Sequence, residues 1–191
     1  YARVYVNGKE VGMTKCSKTP AEFDITPYLI SGNNNLAVQV YRYHDGSYME
    51  DQDFWRITGI EREVYLQAYQ KSCVWDYAIE ATPTNQYRNG NFKADVTLRN
   101  FGKSSANGSL LLRLLDANGK IVYQESKAVS GQEEYKTLSF AKAIKQAKLW
   151  SAEKPNLYKC QLIYGKDTVK ANVGFREVKI ENSRLMVNGK I

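Results

Sequence analysis

The sequence predicts an all-β protein built as two successive β units, and three observations predict it. Aromatic residues are 12% of the 191 residues, tyrosine alone contributing 14, and aromatic and β-branched side chains suit the pleated, half-buried surface of a sheet. Apolar and polar residues alternate with period two in segment after segment, the signature of strands with one wet face. Turn dipeptides, Asn-Gly above all, punctuate those segments, and long helical repeats are scarce.

The first unit begins with a strand-like run, Arg3 to Val6, that enters Asn7-Gly8. A type I′ turn needs positive φ at both central residues, which Asn-Gly supplies, so Lys9 to Gly12 is the return strand of a hairpin. Ala21 to Leu29 alternates and is expected as a strand broken near Pro27, which cannot donate to a ladder. Asn33-Asn34-Asn35 turns the chain into a strand from Leu36 to Tyr43. An acidic and aromatic loop follows, and then Glu63 to Tyr69 is expected as another strand. These are too few strands to close a sandwich, so part of this unit is expected upstream and its sheet edges are expected to be open.

The second unit starts near Gln70. Phe92, Ala94, Val96 and Leu98 alternate with Lys93, Asp95, Thr97 and Arg99. Leu110 to Leu115 is a denser apolar run, and Asn118-Gly119 turns it into Ile121-Val122-Tyr123. Tyr135 to Phe140, Leu157 to Tyr164 and Asp167 to Ile180 are three further strands, with Ala141 to Lys148 bridging two of them. Short strands with regular turns over about 100 residues predict an immunoglobulin-like sandwich. Tyr158, two residues before Cys160 near the start of a late strand, has the spacing of a tyrosine corner. No cysteine on the early strand pairs with Cys160, so the inter-sheet disulfide is not expected. Leu185 to Lys190 repeats the strand and Asn-Gly pattern of Val4 to Lys9.

Bulk properties exclude several functions. The net charge is +7, but the lysines are scattered singly along alternating strands. A basic run that could track phosphates is missing, so nucleic acid is not an expected partner. No apolar run approaches the ~20 residues of a membrane-spanning helix. Cys16, Cys73 and Cys160 lie far apart without a C-x-x-C pair, which argues against zinc. The single histidine, His44, has no nucleophile motif around it and cannot build a multi-histidine metal site. Asn107-Gly108-Ser109 fits a glycosylation acceptor and an ordinary Asn-Gly turn, and the turn is the preferred reading.

The chemistry-bearing stretch is Asp45 to Ile60, which gathers Asp45, Glu50, Asp51 and Asp53 beside Tyr48, Phe54 and Trp55. Carboxylates accept hydrogen bonds from sugar hydroxyls, and flat rings cover the apolar face of a pyranose. An EF-hand fails, since Arg56 stands where the calcium loop needs glycine. Glycoside hydrolysis needs two carboxylates facing each other across a cleft roughly 5–10 Å wide. Neighbouring acids on one loop rarely do so. Asp45 and Glu50 are assigned to a solvated turn, while the residues alone leave Asp53 open between a turn and a sugar contact.

The segment Glu50-Asp51-Gln52-Asp53-Phe54-Trp55-Arg56 closely resembles a signature of the bacterial β-galactosidases of glycoside hydrolase family 2. So do, in the same order along the chain, Val4 to Lys9, Glu22 to Thr26, Arg62 to Leu66, Leu149 to Tyr158, Val173 to Arg176 and Leu185 to Lys190. The resemblance covers essentially the whole chain. It implies a partial jelly-roll, galactose-binding-like sandwich over 1–69, an immunoglobulin-like β-sandwich over 70–180, and the start of a TIM-barrel catalytic domain over 181–191. Both catalytic glutamates would then lie beyond Ile191, leaving this chain without catalytic residues and inactive by itself.

The parent implied is a retaining hydrolase of terminal β-D-galactosides. In that family the aspartate matching Asp53 contacts the galactose 6-hydroxyl and helps hold a sodium ion; magnesium is a second ion of such parents. The chain itself needs no cofactor. Tyr43 stands where the family carries tryptophan, and His44 where it carries a small residue. The implied partners are the β-galactoside, bound through the parent's barrel, and that barrel itself; a homo-oligomer is compatible with the resemblance. Fragments of a β-glucuronidase or a β-mannosidase, and a stand-alone carbohydrate-binding or adhesion module, are the alternatives. The compartment, cytoplasmic or periplasmic, stays open. A half jelly roll is expected to expose apolar sheet surface and to self-associate or be partly disordered before Tyr69.

Overall fold

The computed structural model describes residues 1–16, 18–50, 57–102 and 106–191. They divide into two compact units, Tyr1–Leu66 and Gln67–Ile191. Almost all regular structure is β, in sandwich sheets, as the alternation predicts. No helix among the described residues is long and apolar enough to cross a membrane.

In the first unit, β1 (Ala2–Val6) lies between β2 (Lys9–Thr14) and β3 (Leu36–Val40), all antiparallel. Asn7 and Gly8 turn β1 into β2 with φ of 52° and 78°, as a type I′ turn requires. The Asn7 side chain also donates to Tyr28 O (2.9 Å) and Asn34 Oδ1 (2.8 Å), and its Oδ1 accepts the Asn35 N–H (2.9 Å). One residue thus makes the turn and fastens it to the loop that leads into β3. Val6 is the one fully buried apolar side chain of this unit among the described residues.

Two expected strands of this unit do not form. Ala21 to Leu29 holds only a 3-10 turn, Thr26–Tyr28, with Pro27 inside it. Asp24 Oδ1 takes the Thr26 N–H at 2.9 Å, so the side chain supplies the bond a ladder would have made. Glu63 to Tyr69 carries strand-like alternation but joins no sheet among the described residues. Val64, Tyr65 and Leu66 remain exposed there. Period-two patterning shows what a strand could bury, and a strand also needs a partner.

The second unit is a sandwich of two antiparallel sheets. One holds β4 (Ser72–Thr84), β5 (Asn89–Asn100) and β8 (Tyr135–Ile144) in the order β4-β5-β8. The other holds β6 (Gly108–Leu115), β7 (Ile121–Val129), β9 (Tyr158–Tyr164) and β10 (Asp167–Val173) in the order β10-β9-β6-β7. This is an immunoglobulin-like sandwich. The alternating residues of β5, Phe92 to Leu98, face Leu110, Leu112 and Leu114 of β6 and Tyr158, Cys160 and Leu162 of β9 in one core. Fully burying side chains of this size stabilises by ~1.5–3 kcal/mol each relative to exposure.

Four expectations change in this unit. The strand β4 was not predicted at all. Asp167 to Ile180 is not one strand: β10 ends at Val173, Phe175 turns into the core, and β11 (Val178–Glu181) starts a separate two-stranded ribbon with β12 (Arg184–Val187). Asn107-Gly108 is not a turn. Gly108 already pairs with Val129 at the start of β6, and neither residue has positive φ. Ala141–Ile144 completes β8, and the chain turns only at Lys145-Gln146. No disulfide joins the three cysteines, all of them among the described residues; Cys73 and Cys160 are buried and Cys16 is exposed.

Candidate functional site

The register of the first sheet places the base of the acidic loop. Ala2 pairs with Thr14 on one side and with Val40 on the other, so Lys15 and Tyr41 leave the sheet flanking Tyr1. Tyr1 and Tyr41 stack at 4.9 Å between ring centroids, and the Tyr41 N–H donates to Tyr1 O at 2.8 Å. His44, nearly buried, packs beside Tyr1 at 6.2 Å. A short helical turn, α1 (Ser47–Glu50), follows.

Asp45 is committed to this base. Lys15 Nζ meets its Oδ2 at 2.6 Å, and its Oδ1 accepts the Gly46 N–H at 3.1 Å and lies 3.4 Å from His44 Nδ1. The hydrogen bond from Lys15, then the one from His44, holds the Asp45 carboxyl below the usual carboxylate range. The His44 N–H donates to Ser47 Oγ (2.9 Å), and the Ser47 N–H returns to His44 O (3.0 Å). Asp45 is therefore the clamp of a turn, as the sequence assigns it. Beyond the clamp two large side chains are presented to solvent: Tyr48 is 89% exposed and Met49 82%.

The expected substrate contact Asp53, with Asp51, Phe54 and Trp55, lies outside the described residues. The described residues contain no group of three or more His, Cys, Asp or Glu that could hold a metal ion. Asp45, the described acid of this loop, is taken by Lys15. The described residues therefore do not by themselves fit an ion site. Lys15 is the residue that sequence reasoning missed. Its partner is 30 positions away, and only the β1–β2–β3 register brings them together.

A second aromatic group lies on the sandwich. The Arg99 guanidinium sits 4.5 Å from the Trp75 ring, 4.3 Å from Phe101 and 5.1 Å from Tyr135, and donates to Glu134 Oε1 at 3.1 Å. Tyr69 completes the group, 5.2 Å from Trp75. The cation covers one face of three rings. The cluster fastens Tyr69 and Phe101 to the sandwich.

The family-like segments of the second unit meet at one end of its sandwich. The Trp150 N–H donates to Phe175 O (3.0 Å), and the Arg176 guanidinium lies 4.8 Å from the Trp150 ring. Asn188, with φ of 49°, donates from Nδ2 to Trp150 O (2.8 Å) and accepts the Glu177 N–H (2.9 Å). Tyr87 Oη donates to Glu177 Oε2 (2.8 Å). A Cβ at Gly189 would stand 2.8 Å from the Tyr87 ring, which is why glycine follows Asn188.

Comparison with known proteins gives these segments a common origin. Residues 1–70 match the sugar binding domain of glycosyl hydrolases family 2, and residues 73–176 match the family's second model, glycosyl hydrolases family 2. The chain is 38% identical to a β-galactosidase of Priestia megaterium and 39% identical to one of Streptococcus thermophilus, in each case over 98% of its length. It spans only 19% and 18% of those two proteins. Among solved structures, a Bacteroides uniformis β-glucuronidase 2 superimposes with a TM-score of 0.86 at 23% identity, over 99% of this chain and 25% of that one. A β-glucuronidase from glycoside hydrolase family 2 gives 0.85 at 21% identity, over 99% and 22%. At these identities the structures share the fold. Together, the two matched models, the β-galactosidase relatives and the sandwich place this chain in glycosyl hydrolases family 2.

Proposed function

We propose that the chain is the sugar-binding and immunoglobulin-like part of a β-galactosidase that hydrolyses terminal β-D-galactosides with retention. The observation that carries this reading is the identity of 32–39% with β-galactosidases along essentially the whole chain. The β-glucuronidase structures do not compete with it, because at 20–24% identity they share fold alone.

Retaining hydrolysis needs two carboxyl groups roughly 5 Å apart, one as nucleophile and one as acid and base. In this reading both belong to a barrel outside these residues, and the chain alone is inactive. Its own contribution is the acidic loop. Lys15 and Asp45 fix the base, Tyr48 and Met49 line the rim, and Asp53 contacts the substrate. Sodium at Asp53 rests on the family resemblance alone, and no chemical step is routed through it; magnesium has the same standing.

A panel of β-galactoside, β-glucuronide and β-mannoside substrates, offered to the natural protein that carries this chain, tests the reading. Preferred cleavage of the galactoside with retained anomeric configuration is the expected result. Preference for a glucuronide or mannoside keeps the family and removes the galactose assignment. No cleavage of any glycoside favours a binding module.

A further inference from the structure

The two sheets of the sandwich carry their charges differently. In the sheet β4-β5-β8 the cations of β5 have acidic partners: Lys93 meets Asp95 at 3.3 Å and Arg99 meets Glu134 at 3.1 Å. The outer face of β10-β9-β6-β7 carries cations and no acid. Its four strands hold two carboxylates, Glu125 and Asp167. The register sets them in the rows of Leu112 and Tyr164, both buried, so both belong to the core side.

The same register gathers the cations from distant positions in the sequence. Lys170, Gln161, Arg113 and Gln124 form one row across all four strands. Lys159 stands in the next row, diagonal to both Arg113 and Lys170. Diagonal neighbours on one face lie ~7–8 Å apart, within reach of long side chains, and like charges there repel. Among the described residues, the ion pairs of this unit use Lys93, Arg99, Lys127 and Lys179, and none uses Arg113, Lys159 or Lys170. Arg113 Nε donates to Gln124 Oε1 at 2.7 Å, which orients the guanidinium fork on the face. Such a fork suits a carboxylate.

Leu111, Ile163, Leu115 and Ile121 share the face with these cations, Ile121 exposed and the others half-buried. No outward position of the four strands carries an aromatic ring. A single-stranded nucleic acid or a sugar chain stacks on rings. A peptide instead offers carboxylates to the cations and apolar side chains to the leucines and isoleucines. In an extended peptide, alternate residues project to one side about 6.6 Å apart, close to the diagonal spacing of the cations.

We propose that this face binds an extended acidic segment of a partner protein, whose alternate residues present carboxylates to Arg113, Lys159 and Lys170 and apolar groups to Leu111 and Ile163. The inference is independent of which glycoside the parent protein cleaves. A surface of this size gives a transient, salt-sensitive contact.

The test is calorimetric titration of the natural protein that carries this chain with an end-blocked peptide, Leu-Ser-Glu-Ser-Glu-Ser-Leu. Binding that weakens as salt rises is expected. Arg113→Gln with Lys159→Gln and Lys170→Gln should weaken it about tenfold, the sum of three exposed charge contacts. Lys93→Gln with Lys142→Gln and Lys145→Gln removes the same charge from exposed positions off this face and should leave affinity unchanged. Lys159→Gln with Lys170→Gln, both exposed, is the second variant and should show most of the loss without touching Arg113. No binding overturns the proposal. Equal weakening by the two triple variants overturns it by showing diffuse attraction to net charge. Tighter binding of a charge-matched uronate oligosaccharide or single-stranded DNA overturns the peptide assignment. Undiminished binding when both leucines of the peptide are replaced by serine contradicts the part given to Leu111 and Ile163.

Discussion

The Tyr158 hydroxyl accepts the Lys148 backbone N–H at 3.0 Å, across the connection between β8 and β9. The Tyr158 ring meets Phe175 edge-on at 5.1 Å, and both residues are buried. One side chain therefore supplies core packing and satisfies a backbone donor that has left the ladder. Tyr158→Phe keeps the ring and removes the acceptor. The bond is only part-buried, so its loss is expected to cost about 0.5–1.5 kcal/mol. Urea unfolding followed by tryptophan fluorescence should show a lower midpoint at unchanged slope.

Gly90 in β5 lies against the same core. A Cβ there would stand 2.4 Å from the Phe175 ring and 3.0 Å from the Ala147 side chain. Phe175 is fully buried and has nowhere to move. Gly90→Ala is expected to destabilise the sandwich by about 1–3 kcal/mol through overpacking. A thermal melt of the variant against the parent chain measures it.

The cysteines should separate by reactivity. Burial pushes the Cys160 thiol from its ordinary 9.0 up to about 12, and burial also raises Cys73. A thiol-disulfide reagent at pH 8 should therefore titrate one thiol, Cys16, in the native chain and three after denaturation. The stability that protonated Cys160 contributes is complete below pH 9, and it is lost as pH rises toward 12, because only the unfolded thiol ionises in that window. Cys160→Ala should flatten that alkaline limb in a pH series of unfolding midpoints.

Lys15 holds the Asp45 carboxyl below its ordinary range. Any stability this exposed pair supplies is present above the ordinary carboxylate pKa and lost as pH falls through the depressed one. Salt weakens it. Lys15→Gln should move the Asp45 titration upward in a carboxyl carbon-13 experiment, with His44 keeping part of the shift.

The first unit should not be monodisperse when this chain is isolated. Leu36 and Val38 are exposed on a three-stranded sheet, and Val64, Tyr65 and Leu66 are exposed near the end of the unit. Light scattering behind size exclusion is expected to show mass rising with concentration.

The hairpin at Asn7-Gly8 and the strands β5, β6 and β9 were legible because their alternation is unbroken and their turns have distinctive chemistry. The strand β4 was not, and its own register explains why. A bulge between Val74 and Asp76 shifts the phase by one residue, so Val74 faces the core before it and Ile79 and Ala81 after it. A period-two reading cannot survive that slip. Glu63 to Tyr69 fails in the opposite sense, with a clean pattern and no sheet that it joins among the described residues. In the candidate site, the commitment of Asp45 to a turn was legible from its neighbours. Its clamp, Lys15, was not, since a contact between strand ends depends on register alone.

The most direct measurement is the steady-state kinetics of Asp53→Ala beside the native residue, in the natural protein that carries this chain, with and without sodium. A lost hydrogen bond between a carboxylate and a substrate hydroxyl costs at least about tenfold in kcat/KM. The predicted result is a loss of that size or more on a β-galactoside, together with loss of any response to sodium. Unchanged kcat/KM on the galactoside would contradict the assignment of Asp53 and, with it, the role proposed for the acidic loop.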